Sequence, residues 1–265
     1  MLGAIVGDIV GSVHEFAAPK HTNFPWLIDN STFTDDSVLT LAVADCVMSG
    51  ASYVDKLHEY TRKYPGRGYG AGFFAWVQAG SREPYNSWGN GSAMRVSSVG
   101  FAFRSLEQTL REAERSAEIT HNHPEGIKGA QATATAIFLA RQGESKAAIR
   151  STIEKRFGYD LRRSAAQVRG GYRFNESCQG TVPEAIIAFL DSNEYEEAVR
   201  LAISLGGDAD TLACIAGGIA EAFYGGVPRQ LAAPAYARLD ADLRGVVRQF
   251  YRTHSLDLPV ERSAT

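Results

Sequence analysis

Cysteine is scarce: the 265 residues contain three, Cys46, Cys178 and Cys214. An odd, scattered set builds no disulfide framework, and no CxxC pair offers a zinc knuckle. The expectation is therefore a reducing, cytoplasmic setting. Charge of one sign is scarce as well. Lys and Arg number 27 against 30 Asp and Glu, so the chain as a whole has no basic footprint for a long nucleic-acid interface. No run of eighteen apolar residues occurs, which argues against a membrane span. The opening stretch MLGAIVGDIVGSVHEF has no basic start and is interrupted by Asp8, so it reads as a mature helix and not as a signal peptide. Alternating apolar and polar residues are rare, which leaves little room for strands.

What is abundant is helical periodicity. The segments Ser37–Gly50, Leu106–Thr120, Gly126–Gly143, Thr181–Ser192, Tyr195–Gly207, Asp210–Gly226 and Asp242–His254 each carry apolar residues at helical spacing, and several end on glycine. In the fourth, Thr181 is placed to cap the helix, with Pro183 in its first turn. With no linker-like composition and no fixed-period repeat, the chain reads as one all-α domain over residues 1–265.

Gly3, Gly7 and Gly11 recur every four residues and so share one face of the first helix. Glycine costs about 1 kcal/mol relative to alanine inside a helix. Close backbone contact with a neighbouring helix is the compensation expected, and Gly217–Gly218 suggests the same. Both helices then lie at the crowded centre of the molecule.

The chemistry is concentrated in three acidic clusters. Asp8 and Glu15 are read on the opening helix, seven residues apart, so two turns place them on one side. Thr34-Asp35-Asp36 precedes one apolar helix, and Asp208-Ala209-Asp210-Thr211 precedes another. Either of the last two alone is explained by helix capping and the helix dipole. Together they pair a Thr with two Asp at two apolar, partly buried helix starts, and no Lys or Arg lies next to either in the sequence. Buried carboxylates need a compensating positive charge. Carboxylate and hydroxyl oxygens without His or Cys suit Mg²⁺, Mn²⁺ or Ca²⁺, not structural zinc. The two Asp pairs and Glu15, five carboxylates, are enough for two ions bridged by a shared Asp.

Other segments carry polar possibilities. Gly89-Asn90-Gly91 permits unusual backbone angles, and Ser92 can start a helix containing Met94 and Val96, which together suit an anion. The simpler reading is an Asn-Gly turn, and Arg95 can pair with a local carboxylate or with the ligand. In THNHPEG, His121 and His123 form either a loop of hydrogen-bonding groups or a zinc-like pair, with Pro124 opening the next helix. Trp88 either stacks on a base or covers the core. Phe73, Phe74 and Trp76 read as core. Cys178 has no assigned His partner and is not read as a nucleophile.

Taken in order, these motifs resemble the ADP-ribosylglycohydrolase family over most of the chain. GDIVGSVHE at Gly7–Glu15 looks like its opening motif. TDDS at Thr34–Ser37 and GGDADT at Gly206–Thr211 resemble its two metal motifs. GNGSAMR at Gly89–Arg95 is similar to its phosphate loop, and Thr120-His121 to its Thr-His pair.

The resemblance implies a compact orthogonal helical bundle around a binuclear Mg²⁺ or Mn²⁺ centre. It assigns metal binding to Thr34, Asp35, Asp36, Asp208, Asp210 and Thr211, and proton handling to Glu15 or Asp36. Substrate contacts fall on Gly89, Asn90, Gly91, Ser92, Met94, Arg95 and His121. Gln179 and Gly180 join them from CQGTVPEA, which looks like a family segment near the ribose. The implied activity is hydrolysis of the bond between ADP-ribose and an acceptor on a protein, such as arginine or serine, or on a small molecule. Nucleic acid enters only as a modified substrate, and a monomer is expected. The loops around Lys20–Asn30 and Gly66–Gly72 are expected to shape acceptor access. The alternative from another class is a non-catalytic ADP-ribose-binding or immunity protein that neutralises an ADP-ribosyltransferase.

Overall fold

Glycine spacing in the first helix dictates the centre of the molecule. In the computed structural model, which describes residues 1–261, α1 (Leu2–Gly11) is buried along its whole length and packs most extensively on α13 (Ala209–Phe223). A Cβ on Gly7 would overlap the Ala213 carbonyl, one on Gly3 the Gly217 carbonyl, and one on Gly217 the Gly3 carbonyl in turn. A Cβ on Gly11 would stand 2.5 Å from Asp210 Cα. The two backbones therefore touch, as the spacing predicts. The three glycines together cost about 3 kcal/mol of helix propensity, which this packing must offset.

Between α1 and α13 the chain forms α2 (Asp35–Ser49), α3 (Tyr53–Lys63), α4 (Ala71–Gln78), two short helices α5 (Gly91–Met94) and α6 (Ser97–Ala102), α7 (Leu106–Glu118), α8 (Pro124–Arg141), α9 (Lys146–Phe157), α10 (Ala165–Gly171), α11 (Cys178–Asp191) and α12 (Tyr195–Ser204). After it come α14 (Arg229–Tyr236) and α15 (Ala241–Thr253). Among the described residues the only β pairing is an isolated bridge between Gly89 and Ser177. One hydrophobic core runs from Met1 to Leu258. The last four residues, 262–265, lie outside the described part of the expected 1–265 domain.

Local signals explain most helix ends. Gly50 and Gly158 close α2 and α9 in the left-handed conformation at φ 72° and 71°. Ser52, Ser105, Ser145, Ser164, Ser177 and Asp240 accept backbone N–H bonds at helix starts.

Four expectations shift. Helix α11 starts at Cys178 with Ser177 as its cap, so Thr181 lies inside it; the Thr181 hydroxyl donates instead to the Asn175 carbonyl at 2.9 Å. Pro183 stands inside this helix beyond its first turn. The first helix ends at Gly11, so Glu15 stands in the turn that follows. The helix expected from Ser92 through Val96 runs from Gly91 to Met94, and α6 begins at Ser97.

The backbone contact gives a direct test. Gly7→Ala should lose about 1–3 kcal/mol of stability or more through overpacking. Gly245→Ala, in α15 with nothing within 4 Å of the added Cβ, should gain up to about 1 kcal/mol. Urea unfolding of both variants measures the contrast, and equal effects would rule out the close-contact account.

Candidate functional site

Because Gly7 and Gly11 bring α1 onto the start of α13, Asp8 between them faces the carboxylates at the ends of two other helices. Asp8 is fully buried and acts as an acceptor hub. Its Oδ1 accepts from the Thr34 hydroxyl at 2.6 Å, and its Oδ2 from the backbone N–H groups of Thr34 and Ser37, both at 3.1 Å, and from the Ser37 hydroxyl. This fastens the TDDS turn to α1. Thr34 also caps α2, accepting from the Asp36 N–H at 3.3 Å. The capping reading therefore holds for Thr34. It fails for Asp208, which precedes α13 without a capping bond from its side chain.

The carboxylates form two overlapping groups. In each, three oxygens lie within 4.8 Å of one another: Asp8, Asp36 and Asp210 in one, and Glu15, Asp208 and Asp210 in the other. Asp210 is common to both. Asp36 Oδ2 accepts from the Thr211 hydroxyl at 3.3 Å, whereas its Oδ1 is buried with no hydrogen-bond partner. An orphaned buried carboxylate oxygen beside two other carboxylates suits a hard cation.

Electrostatics points the same way. Burial first, then neighbouring carboxylates, raises Asp35, Asp36 and Asp210 well above the ordinary carboxylate range. Burial pushes Asp8 up to about 6 although the Ser37 and Thr34 hydrogen bonds oppose it. Glu15, half-buried, is pushed up to about 7 by burial and by Asp208, Glu176 and Asp8. Such a set stays ionised at neutral pH only beside a compensating positive charge.

The expectation that no basic residue adjoins the clusters holds in sequence but not in space. Lys20 reaches the loop before Asp208 and donates to the carbonyls of Tyr172 (3.0 Å) and Leu205. It holds the loop through carbonyls, not carboxylates. Gly206 and Gly207, at φ 83° and 78°, make that turn.

A cleft of about 410 Å³ opens over this centre. Of the expected site residues, Glu15, Asp35, Asp36, Gly89, Asn90, Gly91, Met94, Arg95, His121, Asp208, Asp210 and Thr211 line it. Thr34, Ser92, Gln179 and Gly180 do not. Thr34 is turned to Asp8. The Ser92 hydroxyl donates to the Gly126 carbonyl at 2.7 Å. Gln179 faces a separate depression beside Lys128 and Arg163, and the Gly180 carbonyl accepts from the Tyr172 hydroxyl at 2.8 Å.

The glycine loop also divides its work differently from expectation. The Gly89 N–H goes to the Ser87 hydroxyl at 3.1 Å and the Asn90 N–H to the Glu176 carbonyl at 2.7 Å. The Asn90 amide donates to Asp208 Oδ2 at 2.7 Å, holding an acid of the centre. Gly91 matters through space, since a Cβ there would sit 3.2 Å from His121 Nε2.

His121 and His123 part company, which dissolves the zinc-like pair. His123 caps α8 through a bond from the Glu125 N–H at 3.1 Å, while His121 faces the cleft. Burial and then the nearby Arg95 charge hold His121 well below the ordinary histidine range. Arg95 is itself fully buried and has no carboxylate partner among the described residues; burial pulls it down to about 10. Burial pushes the Cys178 thiol up to about 12, which fits an inert core cysteine.

Of the two loops expected to shape access, 66–72 contributes Gly68, Gly70, Ala71 and Gly72 to the cleft, with Phe73 following it, whereas residues 20–30 contribute none. Phe73 and Trp76 are core residues as expected, but Phe74 is exposed. Trp88 is exposed outside this cleft, beside the His123 ring.

Sequence reading missed Tyr85 and Glu176 in the lining. It also missed Phe16 and Phe174, exposed rings stacked at 5.9 Å that adjoin Glu15 and lie near Glu176 in the chain. No spacing signal connects segments this far apart.

An all-α fold with a buried acidic centre under a glycine-loop cleft is an arrangement that could hold a hard cation. The family model for ADP-ribosylglycohydrolase matches residues 1–257, and the chain belongs to that family. It is similar to ADP-ribosylhydrolase ARH3 of Homo sapiens, 27% identical with 85% of this chain and 84% of the relative covered. It is also similar to ADP-ribosylarginine hydrolase Tri1 of Pseudomonas putida, 28% identical over 85% of this chain and 69% of the relative. A solved structure titled as an ADP-ribosylglycohydrolase-related protein complex superposes with a TM-score of 0.70 at 26% identity, covering 96% of this chain and 97% of the other. The chain is thus an enzyme that hydrolyses glycosidic bonds of ADP-ribose, and the non-catalytic alternative is not favoured. Among the described residues no helix is long and apolar enough to cross a membrane.

The raised carboxyl groups set a pH dependence. Folded Asp8 and Glu15 hold protons up to about pH 6 and 7, whereas unfolded carboxyls lose them near pH 4. Folding of the chelated protein therefore takes up protons in that window, and stability falls as pH rises through it. In EDTA the melting temperature should be higher at about pH 6 than at about pH 8, and saturating Mg²⁺ or Mn²⁺ should flatten the difference. A melting temperature that rises with pH in EDTA would refute this.

Proposed function

We propose that the hydrolysis is carried out at this centre with two divalent cations, Mg²⁺ or Mn²⁺. They would be held by Asp35, Asp36, Asp208, Asp210 and Thr211, with Thr34 positioning the first motif from behind. The observation that carries the reading is the pair of three-carboxylate groups sharing Asp210, with one Asp36 oxygen of the first group left unpartnered. Such ions supply Lewis-acid polarisation and fix hydroxyl-rich substrates.

The chain's own residues do the rest. Glu15, at the cleft wall and shifted to about 7, can hold or release a proton near neutral pH, which suits it to move a proton at the ribose anomeric centre. Asp36, already receiving the Thr211 hydroxyl, is better suited to holding cation. Asn90 keeps Asp208 oriented, and Gly91 leaves room for a ligand beside His121. Charge at the ribose in the transition state is oxocarbenium-like and favours facing carboxylates. The acceptor is an ADP-ribosylated side chain or small molecule.

A single domain over 1–265 goes with this reading, as does a cytoplasmic monomer. One core spans the described chain, and the three cysteines are free.

The test is release of ADP-ribose from arginine-, serine- and nucleotide-linked substrates with and without EDTA. Release should stop in EDTA and return with Mg²⁺ or Mn²⁺; turnover surviving full metal removal would sink the proposal. Asp210→Ala should lose cation binding and turnover together. Asn90→Ala, which removes only an outer support of Asp208, should weaken cation affinity by about 10–100-fold with the fold retained, as read by calorimetry and circular dichroism.

A further inference from the structure

Arg95 is the largest side chain buried to less than 2% exposure, and the chemistry proposed above gives it no task. A guanidinium has only donors. Its Nη2 donates to the Ser116 carbonyl at 2.8 Å and to the Thr120 hydroxyl oxygen at 2.9 Å, while Nε and Nη1 have no partner. Thr120 is fully buried, and its Oγ1 lies 2.7 Å from His121 Nδ1.

The proton on the Thr120 hydroxyl then has one place to go. Arg95 occupies that oxygen as a donor, so the hydroxyl must act as an acceptor there. A buried hydroxyl proton left without an acceptor is costly. The only acceptor among the hydrogen bonds described for this oxygen is His121 Nδ1. Nδ1 accepting a proton must be bare, so the ring's single proton sits on Nε2. A second proton on the ring would place an imidazolium next to an uncompensated guanidinium in a buried setting. Nε2 in turn faces the glycine loop, 3.2 Å from the point a Gly91 Cβ would occupy and 3.6 Å from that of Gly89.

We propose that Arg95 and Thr120 are positioning residues that lock His121 in the neutral Nε2–H form, so that His121 enters the cleft as a hydrogen-bond donor to an anionic or hydroxyl oxygen of the ligand. Arg95 itself acts through Thr120 and the field of its charge, not by touching the ligand. The identity of that oxygen as part of ADP-ribose rests on the function proposed above; the tautomer lock does not.

The test reads both parts. In ligand-free, ¹⁵N-labelled protein at neutral pH, long-range ¹H–¹⁵N correlation of the imidazoles reports which nitrogen carries the proton. Six histidines are present, and the His121 signals are those lost in His121→Gln. The wild type should show a protonated Nε2 and a bare Nδ1. Thr120→Ser, which keeps the hydroxyl, should retain that pattern and the affinity for ADP-ribose. Thr120→Val, nearly isosteric, should lose the single-tautomer pattern and weaken ADP-ribose binding about tenfold, the scale of one hydrogen bond. A protonated Nδ1 or an imidazolium in the wild type would overturn the lock without any variant, so a Thr120→Val protein that fails to fold does not shelter it. An unchanged ring pattern in folded Thr120→Val would overturn it equally. A changed pattern with undiminished ADP-ribose affinity would overturn the donor role. If the wild type binds no ADP-ribose at all, the ligand assignment fails, and the ring spectra still decide the lock.

Discussion

Backbone contact between α1 and α13 is the constraint on which the rest depends. Three glycines on α1 and Gly217 on α13 remove the side chains that would hold the two helices apart. Only at that separation do Asp8, in the middle of α1, and Asp210, in the first turn of α13, share one small volume. A wider helix pair would still bury apolar surface, but it would spread the acids beyond the reach of one ion. The packing and the chemistry therefore have a common cause, and glycine is retained against its helix propensity because of both.

The acidic centre is held by a graded set of hydrogen bonds. Asp8 is satisfied by four protein donors and serves as the fixed post for the TDDS turn. Asp208 is steadied by the Asn90 amide, and Asp36 by the Thr211 hydroxyl on one oxygen only. Support is uneven across the cluster, and the other Asp36 oxygen is left bare. This differs from an ordinary buried ion pair: the protein orients the acids without neutralising them, which suits a hard cation. Two basic residues around the cleft follow the same logic. Lys20 is tied to carbonyls, and Arg95 stands behind Thr120 on the other side of the cleft.

Several residues lie where the motifs place them yet work differently. Asn90 belongs to the glycine loop by sequence, but its amide faces the acids. Thr34 belongs to the first acidic motif, but its hydroxyl serves Asp8 and the helix cap. Ser92 belongs to the same loop, and Gln179 and Gly180 to the segment expected near the ribose; their polar groups are turned to Gly126, to a neighbouring depression and to Tyr172. For Asn90, Thr34 and Ser92 the local motif names the segment, and a partner more than twenty residues away chooses the direction of the side chain.

The sequence by itself determined the all-helical class, the helix-end signals, the close approach of the glycine face and the four acids at two helix starts. These depend on periodicity and on residue chemistry, which act over a few neighbours. It also determined the family, because five short motifs in a fixed order carry more information than any one. The tertiary structure alone decided that Asp8 is a hub, that Glu15 stands on a turn beyond the helix, that Tyr85 and Glu176 complete the cleft, and that Arg95 reaches His121 through Thr120. Those outcomes depend on distances between segments far apart in the chain, and no local spacing encodes them. The physical reason is that hydrogen bonds and charges act within a few ångströms in space, whereas a sequence pattern records proximity only along the chain.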